Sequence, residues 1–262
     1  MQKRVRLNKN SHKQVAKLVA RNAHRNLGKL LMNAAPINDK QAVAIHAASM
    51  VKNGMLVGLG TGSTANYFIE ELARRKAQEN LKVTTIASST ISMIKAQSLG
   101  LNVIALAQVS EIDLYVDGAD EITPEMSLLK GRGYDLVLEK LLAKAAKQFI
   151  VVADKSKLVA RIGTNYAIPI EVMPMAWKAA KRSLEAAGGV GDLRQNVTKD
   201  GLSISSHGSL ILDMQFDKNM PEEALNHLIN NTPGVVEHGI FRGLASTVLI
   251  ADNGNISELA NK

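Results

Sequence analysis

Short apolar runs of four or five residues recur along this chain, separated by stretches patterned for helix or turn, and the alternation becomes regular from Pro36 onward. Asn38 or Asp39 can cap a helix from Lys40 to Val51, which Asn53-Gly54 ends. Met55 to Leu59 then reads as a buried strand, Ala65 to about Lys76 as a helix, Val83 to Ala87 as a second strand and Ile91 to Leu99 as a second helix. Val103 to Leu106, Ile112 to Val116 and Phe149 to Val152 supply further strands, with a helix from Leu136 to Lys147 before the last. Buried strands alternating with helices of about ten residues predict an α/β architecture, a doubly wound, mostly parallel sheet.

The rhythm changes near Tyr166. Ile168 to Val172 predicts a strand, Trp177 to Ala187 a helix closed by Gly188-Gly189, and Leu193 to Val197 a strand. Leu202 to Ser205 is expected to pair through His207-Gly208 with Ser209 to Phe216, before a helix from Pro221 to Ile229 and a strand from Val235 to Phe241. That order, β-α-β-β-α-β with an extra short strand, predicts a smaller α+β domain of ferredoxin-like type. Ser246 to Ala251 reads as one buried strand returning to the first domain. The expected division is therefore a catalytic α/β domain of residues 36–165 plus 242–262, a small domain of 166–241, and an N-terminal extension of 1–35.

Composition narrows the classes of function. The 262 residues hold no cysteine, which excludes disulfides, thiolate catalysis and Cys-ligated zinc and makes a cytoplasmic setting the expectation. The six histidines form no i, i+4 or His-x-His pair, so no histidine-based metal site is expected. No apolar run nears the ~20 residues a bilayer span requires, so no membrane role is expected. The net charge of +8 points at first to nucleic acid, but nine Lys/Arg and no acid fall within residues 1–31. Subtracting those nine leaves −1 for the remainder. Nucleic-acid contact is thus expected only non-specifically, through a flexible basic extension whose Lys13, Lys17, Arg21, Arg25 and Lys29 recur every fourth residue.

Two segments carry candidate chemistry. Gly60-Thr61-Gly62-Ser63-Thr64 lies between a predicted strand and a helix, where backbone N–H groups, a helix N-terminus and three hydroxyls attract an anion. It lacks the lysine of a nucleotide-binding P-loop. The second strand ends Ala87-Ser88-Ser89-Thr90 without the acid a dinucleotide fold uses on its ribose, so a single phosphate, as on a sugar phosphate, fits best. Then come Asp117-Gly118-Ala119-Asp120 in the turn after a strand, Lys130 at the mouth of a Gly-x-Gly loop, and Glu139 two turns into the next helix. Like charges raise a carboxyl pKa and a cation lowers it, so this cluster can hold one acid and one base near neutral pH.

Taken in order and spacing, the phosphate loop, the carboxylate turn, Lys130, Glu139 and Ala153-Asp154-Lys155-Ser156-Lys157 resemble the A-type ribose-5-phosphate isomerase family, over nearly all of the chain from about Asp39. Pro169-Ile170-Glu171-Val172 and Pro233 to Phe241 extend the match. The resemblance implies an aldose–ketose isomerase that interconverts ribose 5-phosphate and ribulose 5-phosphate through an enediolate, in the non-oxidative pentose phosphate pathway, with no metal or organic cofactor. It assigns the proton shuttle to Glu139, oxyanion stabilisation to Lys130 and the loop N–H groups, and ring opening to Asp117 with Asp120. Substrate binding is assigned to Thr61 to Thr64, Asp117 to Asp120, Lys130, Gly131, Arg132, Gly133, Lys157 and Lys40. A homodimer or homotetramer is expected, packed partly through the small domain, where Ile211 and Met214 would need cover. Two other readings share the phosphate loop: a sugar-phosphate-sensing regulatory module, and another phosphosugar isomerase.

One departure falls in the site. The family loop after the lysine is typically Gly-Gly-Gly-Ala, whereas this chain reads Gly131-Arg132-Gly133-Tyr134-Asp135. A backbone cost is expected at Arg132 if that position holds a positive φ. Arg132 is otherwise expected to contact substrate oxygens or to fold over the mouth.

Overall fold

The structure is a computed structural model that describes residues 38–260. The expectations for the basic extension lie outside the described residues. The chain runs α1 (Asp39–Ser49), β1 (Leu56–Leu59), α2 (Ser63–Glu79), β2 (Thr84–Ala87), α3 (Thr90–Ser98), β3 (Asn102–Val103), β4 (Ile112–Asp117), β5 (Glu121–Ile122) and β6 (Leu128–Leu129). It continues through α4 (Leu136–Ala145), β7 (Ala146–Asp154), β8 (Ile168–Val172), α5 (Trp177–Ala186), β9 (Val190–Leu193) and β10 (Leu210–Gln215). The last elements are α6 (Glu222–Asn230), β11 (Val235–His238), β12 (Ile240–Phe241), β13 (Thr247–Asp252) and β14 (Asn255–Ala260).

Seven strands form the main sheet in the order β14-β13-β7-β4-β1-β2-β3, parallel except for β14. Both faces are covered, because successive strand residues point to opposite sides. Val57, Leu59, Leu114, Val116, Ile150 and Val152 pack on one side with Val43 and Ala47 of α1 and Phe68, Ile69 and Leu72 of α2. Tyr115, Phe149, Val151, Val248 and Ile250 pack on the other with Leu136 and Leu142 of α4. Gly58 faces Tyr115 on that second side, where a Cβ would come within 2.7 Å of the ring. Asp39, in the first turn of α1, accepts the backbone N–H groups of Asn253 and Gly254 at 3.0 and 2.8 Å, tying the first helix to the β13–β14 turn.

A second sheet, antiparallel, is ordered β11-β8-β10-β9, so its strands lie 4-1-3-2 in chain order as in ferredoxin-like folds. Its core joins Ile170, Val172, Leu212 and Met214 to Ala180 and Leu184 of α5 and Leu225 and Ile229 of α6. Four expectations change here. Ile211 and Met214 need no partner chain, since they are 1% and 0% exposed within this chain's own core. The strand expected at Leu193 to Val197 lies earlier, because Gly191 must approach so closely that a Cβ would stand 2.0 Å from the Asp213 carbonyl oxygen. Leu202 to Ser205 makes isolated bridges only, Gln195 with Leu202 and Ile204 with Leu210. Finally, the buried strand β13 continues through Asn253-Gly254 into the edge strand β14. A third, three-stranded sheet, β12-β6-β5, was not expected; two-residue strands carry no periodicity to read.

Candidate active site

The three central strands β7, β4 and β1 are neighbours and parallel, so the segments following them emerge at one edge of the sheet. These segments are Lys155–Lys157, Gly118–Asp120 and Gly60–Thr64. The chain reverses its direction of winding between β1 and β4, the crevice where open α/β sheets bind ligands. There lies a cavity of about 240 Å³.

At one end is the glycine loop. Gly60 must be glycine, since a Cβ would meet Asp117 Oδ1 at 2.2 Å. Gly62, at φ 108°, caps α2 without a side chain, so the helix N-terminus opens into the cavity. The Thr61 hydroxyl turns away into a small network, 2.9, 2.7 and 3.2 Å from the hydroxyls of Ser88, Ser89 and Ser92. Ser92 also donates to the Gly60 carbonyl at 2.7 Å. The loop's shape is thus fixed by serines after β2, the very stretch that lacks a ribose-binding acid. Lys40 donates to Ser63 Oγ at 3.2 Å, and Lys157 and Asp154 line the same end.

Beside the loop, and bonded to it through Asp117, is the charged cluster. Asp117 is fully buried and its carboxylate is saturated: Oδ1 accepts from Thr61 N at 3.0 Å and Gly118 N at 2.7 Å. Oδ2 accepts from the Tyr115 hydroxyl and, at 2.8 Å, from Lys130 Nζ. Lys130 follows β6, and its backbone N–H donates to the Gly239 carbonyl at 2.9 Å. Gly239 permits this approach, as its Cβ would sit 2.2 Å from the Lys130 oxygen. Lys130 Nζ also donates to the Gly118 carbonyl at 2.7 Å and lies 3.3 Å from Glu139 Oε2. Glu139 stands in the first turn of α4 rather than two turns in, since Leu136 opens the helix.

Burial sets the electrostatics. Glu139 is 4% exposed, and removal from water pushes its pKa up to about 8, with Lys130 pulling down and Asp117 pushing up less strongly. Burial alone would lower the Lys130 pKa, but the carboxylates of Asp117 and Glu139 outweigh it and hold the ammonium above its usual range. Asp120 is raised chiefly by burial, against the pull of Lys130, Arg132 and Lys157. Tyr115 is pushed well above its usual value by burial and by Asp117, so it stays a donor. The result is a basic carboxylate beside a permanent cation.

The residues picked from the sequence meet here. Thr61, Gly62, Ser63, Thr64, Gly118, Ala119, Asp120, Lys130, Gly131, Arg132, Gly133, Glu139, Lys157 and Lys40 all line the cavity. Asp117 lies beneath it as the support of Lys130. The expected strain at Arg132 falls on its neighbours: Gly131 at φ 102° and Tyr134 at φ 72° take the left-handed conformations. Arg132 lays its guanidinium 4.3 Å from the centre of the Tyr166 ring, at the cavity's rim. Sequence reasoning missed Tyr115 near the end of β4, Ser88 and Ser89 just past β2, and Ser92 in the first turn of α3; only their place at the edge to which these strands point could have found them. Among the described residues no three His, Cys, Asp or Glu side chains gather as a metal site. Nor, among them, is any helix long and apolar enough to cross a membrane.

Comparison with known proteins gives the family and the fold. The sequence model of the family described as ribose 5-phosphate isomerase A (phosphoriboisomerase A) matches residues 84–255. The chain is 44% identical over 213 residues to ribose-5-phosphate isomerase A of Prochlorococcus marinus (strain NATL2A), covering 80% of this chain and 90% of that one. Its structure superposes on ribose 5-phosphate isomerase A from Methanocaldococcus jannaschii with a TM-score of 0.80 at 37% identity, over 85% of this chain and 98% of that one. A D-ribose-5-phosphate isomerase solved in complex with phospho-erythronic acid gives 0.81 at 34% identity, over 85% and 97%.

Proposed function

Since the chain belongs to the ribose 5-phosphate isomerase A family and its reaction is ribose 5-phosphate isomerisation, we propose how its own residues divide that work. The phosphate sits at the α2 N-terminus among Thr61 to Thr64, with Lys40 and Lys157 adding positive charge. This non-reacting anchor lets binding energy place the sugar carbons at the charged end of the cavity.

Glu139, ionised, removes the proton on C2 of the open-chain aldose. The electron pair moves into a C1–C2 double bond and leaves negative charge on the C1 oxygen. Lys130 and the N–H groups of the Gly131 loop stabilise that oxyanion. Glu139 then returns its proton to C1, while the proton on the C2 oxygen passes to the C1 oxygen, giving the 2-ketose. The raised pKa of Glu139 near 8 makes it a stronger base than an ordinary carboxylate while still partly ionised near neutral pH.

The two aspartates take different parts. Asp117 has four donors on two oxygens and serves to hold Lys130. Asp120, lining the cavity with a raised pKa, exchanges protons with the sugar oxygens. The observation that carries this reading is Lys130 Nζ fixed between Asp117 and Glu139 at 2.8 and 3.3 Å, in the cavity that the phosphate loop also lines. A phosphosugar-sensing module would need the loop but has no use for that pair. Incubating the purified protein with ribose 5-phosphate in D₂O tests it: ribulose 5-phosphate should form with deuterium entering at C1, and absence of ketose would refute it. Self-association as a dimer or tetramer belongs to the same proposal. It is supported by exposed apolar side chains on the small domain, Val197 at 91% and Ile204 at 63%.

A further inference from the structure

The loop after Lys130 is held from the small antiparallel sheet. Tyr134 carries a Cβ in the left-handed region, a conformation that persists only where the surroundings hold it. Arg194, just past β9, supplies the hold. Its Nη1 donates to the Gly131 carbonyl at 3.0 Å. Its Nε and Nη2 fork onto the two Asp213 oxygens at 2.7 and 2.5 Å. The guanidinium lies 5.5 Å from the centre of the Tyr134 ring. At the far end of the loop the Ser206 hydroxyl donates to the Asp135 carboxylate.

The root of this arm is fixed as firmly as its tip. Arg194 N–H donates to the Ile211 carbonyl at 2.7 Å, and its own carbonyl accepts from Ser203 N–H at 2.8 Å. Its side chain is only 13% exposed. The Gly131 carbonyl and the Arg132 N–H belong to one peptide plane and point in opposite directions. Pinning the carbonyl toward Arg194 therefore aims the N–H the other way, in a loop whose Gly131, Arg132 and Gly133 line the cavity together with Asp120.

We propose that Arg194, braced by Asp213, is a positioning residue for the isomerisation: it sets the Gly131–Arg132 peptide plane and so serves the reacting end of the sugar without touching the phosphate end. This rests on the isomerase reading above. The reacting end is where charge develops, and donors misaimed by a fraction of an ångström lose much of their effect there.

Steady-state kinetics of Arg194→Met should show kcat about tenfold lower with KM changed less than about twofold, a partial loss beside the 10²–10³ for a deleted oxyanion donor. Arg194→Lys, which can reach the carbonyl but cannot fork onto Asp213, should fall between. Calorimetry on the same proteins separates the two ends of the site. Binding of phospho-erythronic acid, which carries a carboxylate as well as a phosphate and so can engage both ends of the site, should weaken about tenfold, while binding of inorganic phosphate stays within about twofold. Turnover of Arg194→Met within about twofold of the unaltered protein, or equal weakening of both ligands, would overturn the proposal. Should Arg194→Met fail to fold, Asp213→Asn keeps the shape and weakens the brace, and the same two-ligand comparison decides. Failure of the unaltered protein to form ketose would count against the isomerase reading, whereas the binding comparison judges the strut by itself.

Discussion

Glu139 shows what burial does to one carboxyl group. In the folded chain it keeps its proton up to about pH 8 instead of 4.5. Between those values the native state binds a proton that the unfolded chain has released, so stability falls as pH rises through that window. Activity runs the other way, because the base must be ionised, and kcat/KM should rise through an acidic limb ending near pH 8. Glu139→Gln should therefore lower kcat by ~10²-fold or more while keeping the fold. The gap in Tm between the variant and the unaltered protein should widen in the variant's favour from pH 5 to pH 8. Near-normal turnover, or a gap that narrows, would remove Glu139 from the centre of the mechanism. Lys130 and Glu139 were legible in the sequence because their spacing is local, strand to loop to helix. Tyr115, stacked 4.8 Å from Phe149 beneath Asp117, was not, since in a buried strand it reads as one more core residue.

In the proposed reading the helix α2 and the loop before it hold the phosphate, and two substitutions there should fail differently. Thr64→Ala removes a hydroxyl at the helix N-terminus and should raise KM for ribose 5-phosphate several-fold with little change in kcat; unphosphorylated ribose should be a poor substrate for either protein. Equal turnover of ribose and ribose 5-phosphate would show that the loop is no anchor. Gly60→Ala instead forces a methyl group against Asp117, 2.6 Å from its Cα. It should destabilise the protein by at least about 1–3 kcal/mol and abolish turnover, seen as a lowered thermal transition by circular dichroism. Elements with a full period were legible: β1, α2, β4 and the β-α-β-β-α-β order of the small domain. The two-residue strands β5, β6 and β12 were not, although they seat Lys130. In the Gly131 loop the sequence showed which residue was unusual, Arg132, but not which would turn left-handed. Space decided that, since a Cβ at Gly131 would stand 2.1 Å from Leu136 Cδ2.

At the scale of the whole chain, every group placed in the site, from Lys40 to Lys157, lies within residues 38–260. A chain shortened to begin at Met32 should then keep kcat and Tm nearly unchanged while losing affinity for polyanions, as charges beyond about 8 Å are screened at physiological salt. Inactive or insoluble shortened protein would place the extension inside the working unit. Light scattering at micromolar concentration should report a dimer or tetramer, and a monomer mass would refute self-association. The separate parallel and antiparallel sheets were readable because their stretches of chain differ in rhythm. The edge hairpin was not, because exposed strands such as β14 lack a strong apolar pattern. The tie between Asp39 and the β13–β14 turn spans 214 residues of chain. It makes the order of synthesis matter: α1 is translated well before part of its seat, β13 and β14. Contacts of such long range form slowly, and the large sheet cannot close around this helix until β13 and β14 have been translated. Nascent chains arrested before Thr247 should remain protease-sensitive across α1, and emergence of β13 and β14 should be the event that protects it.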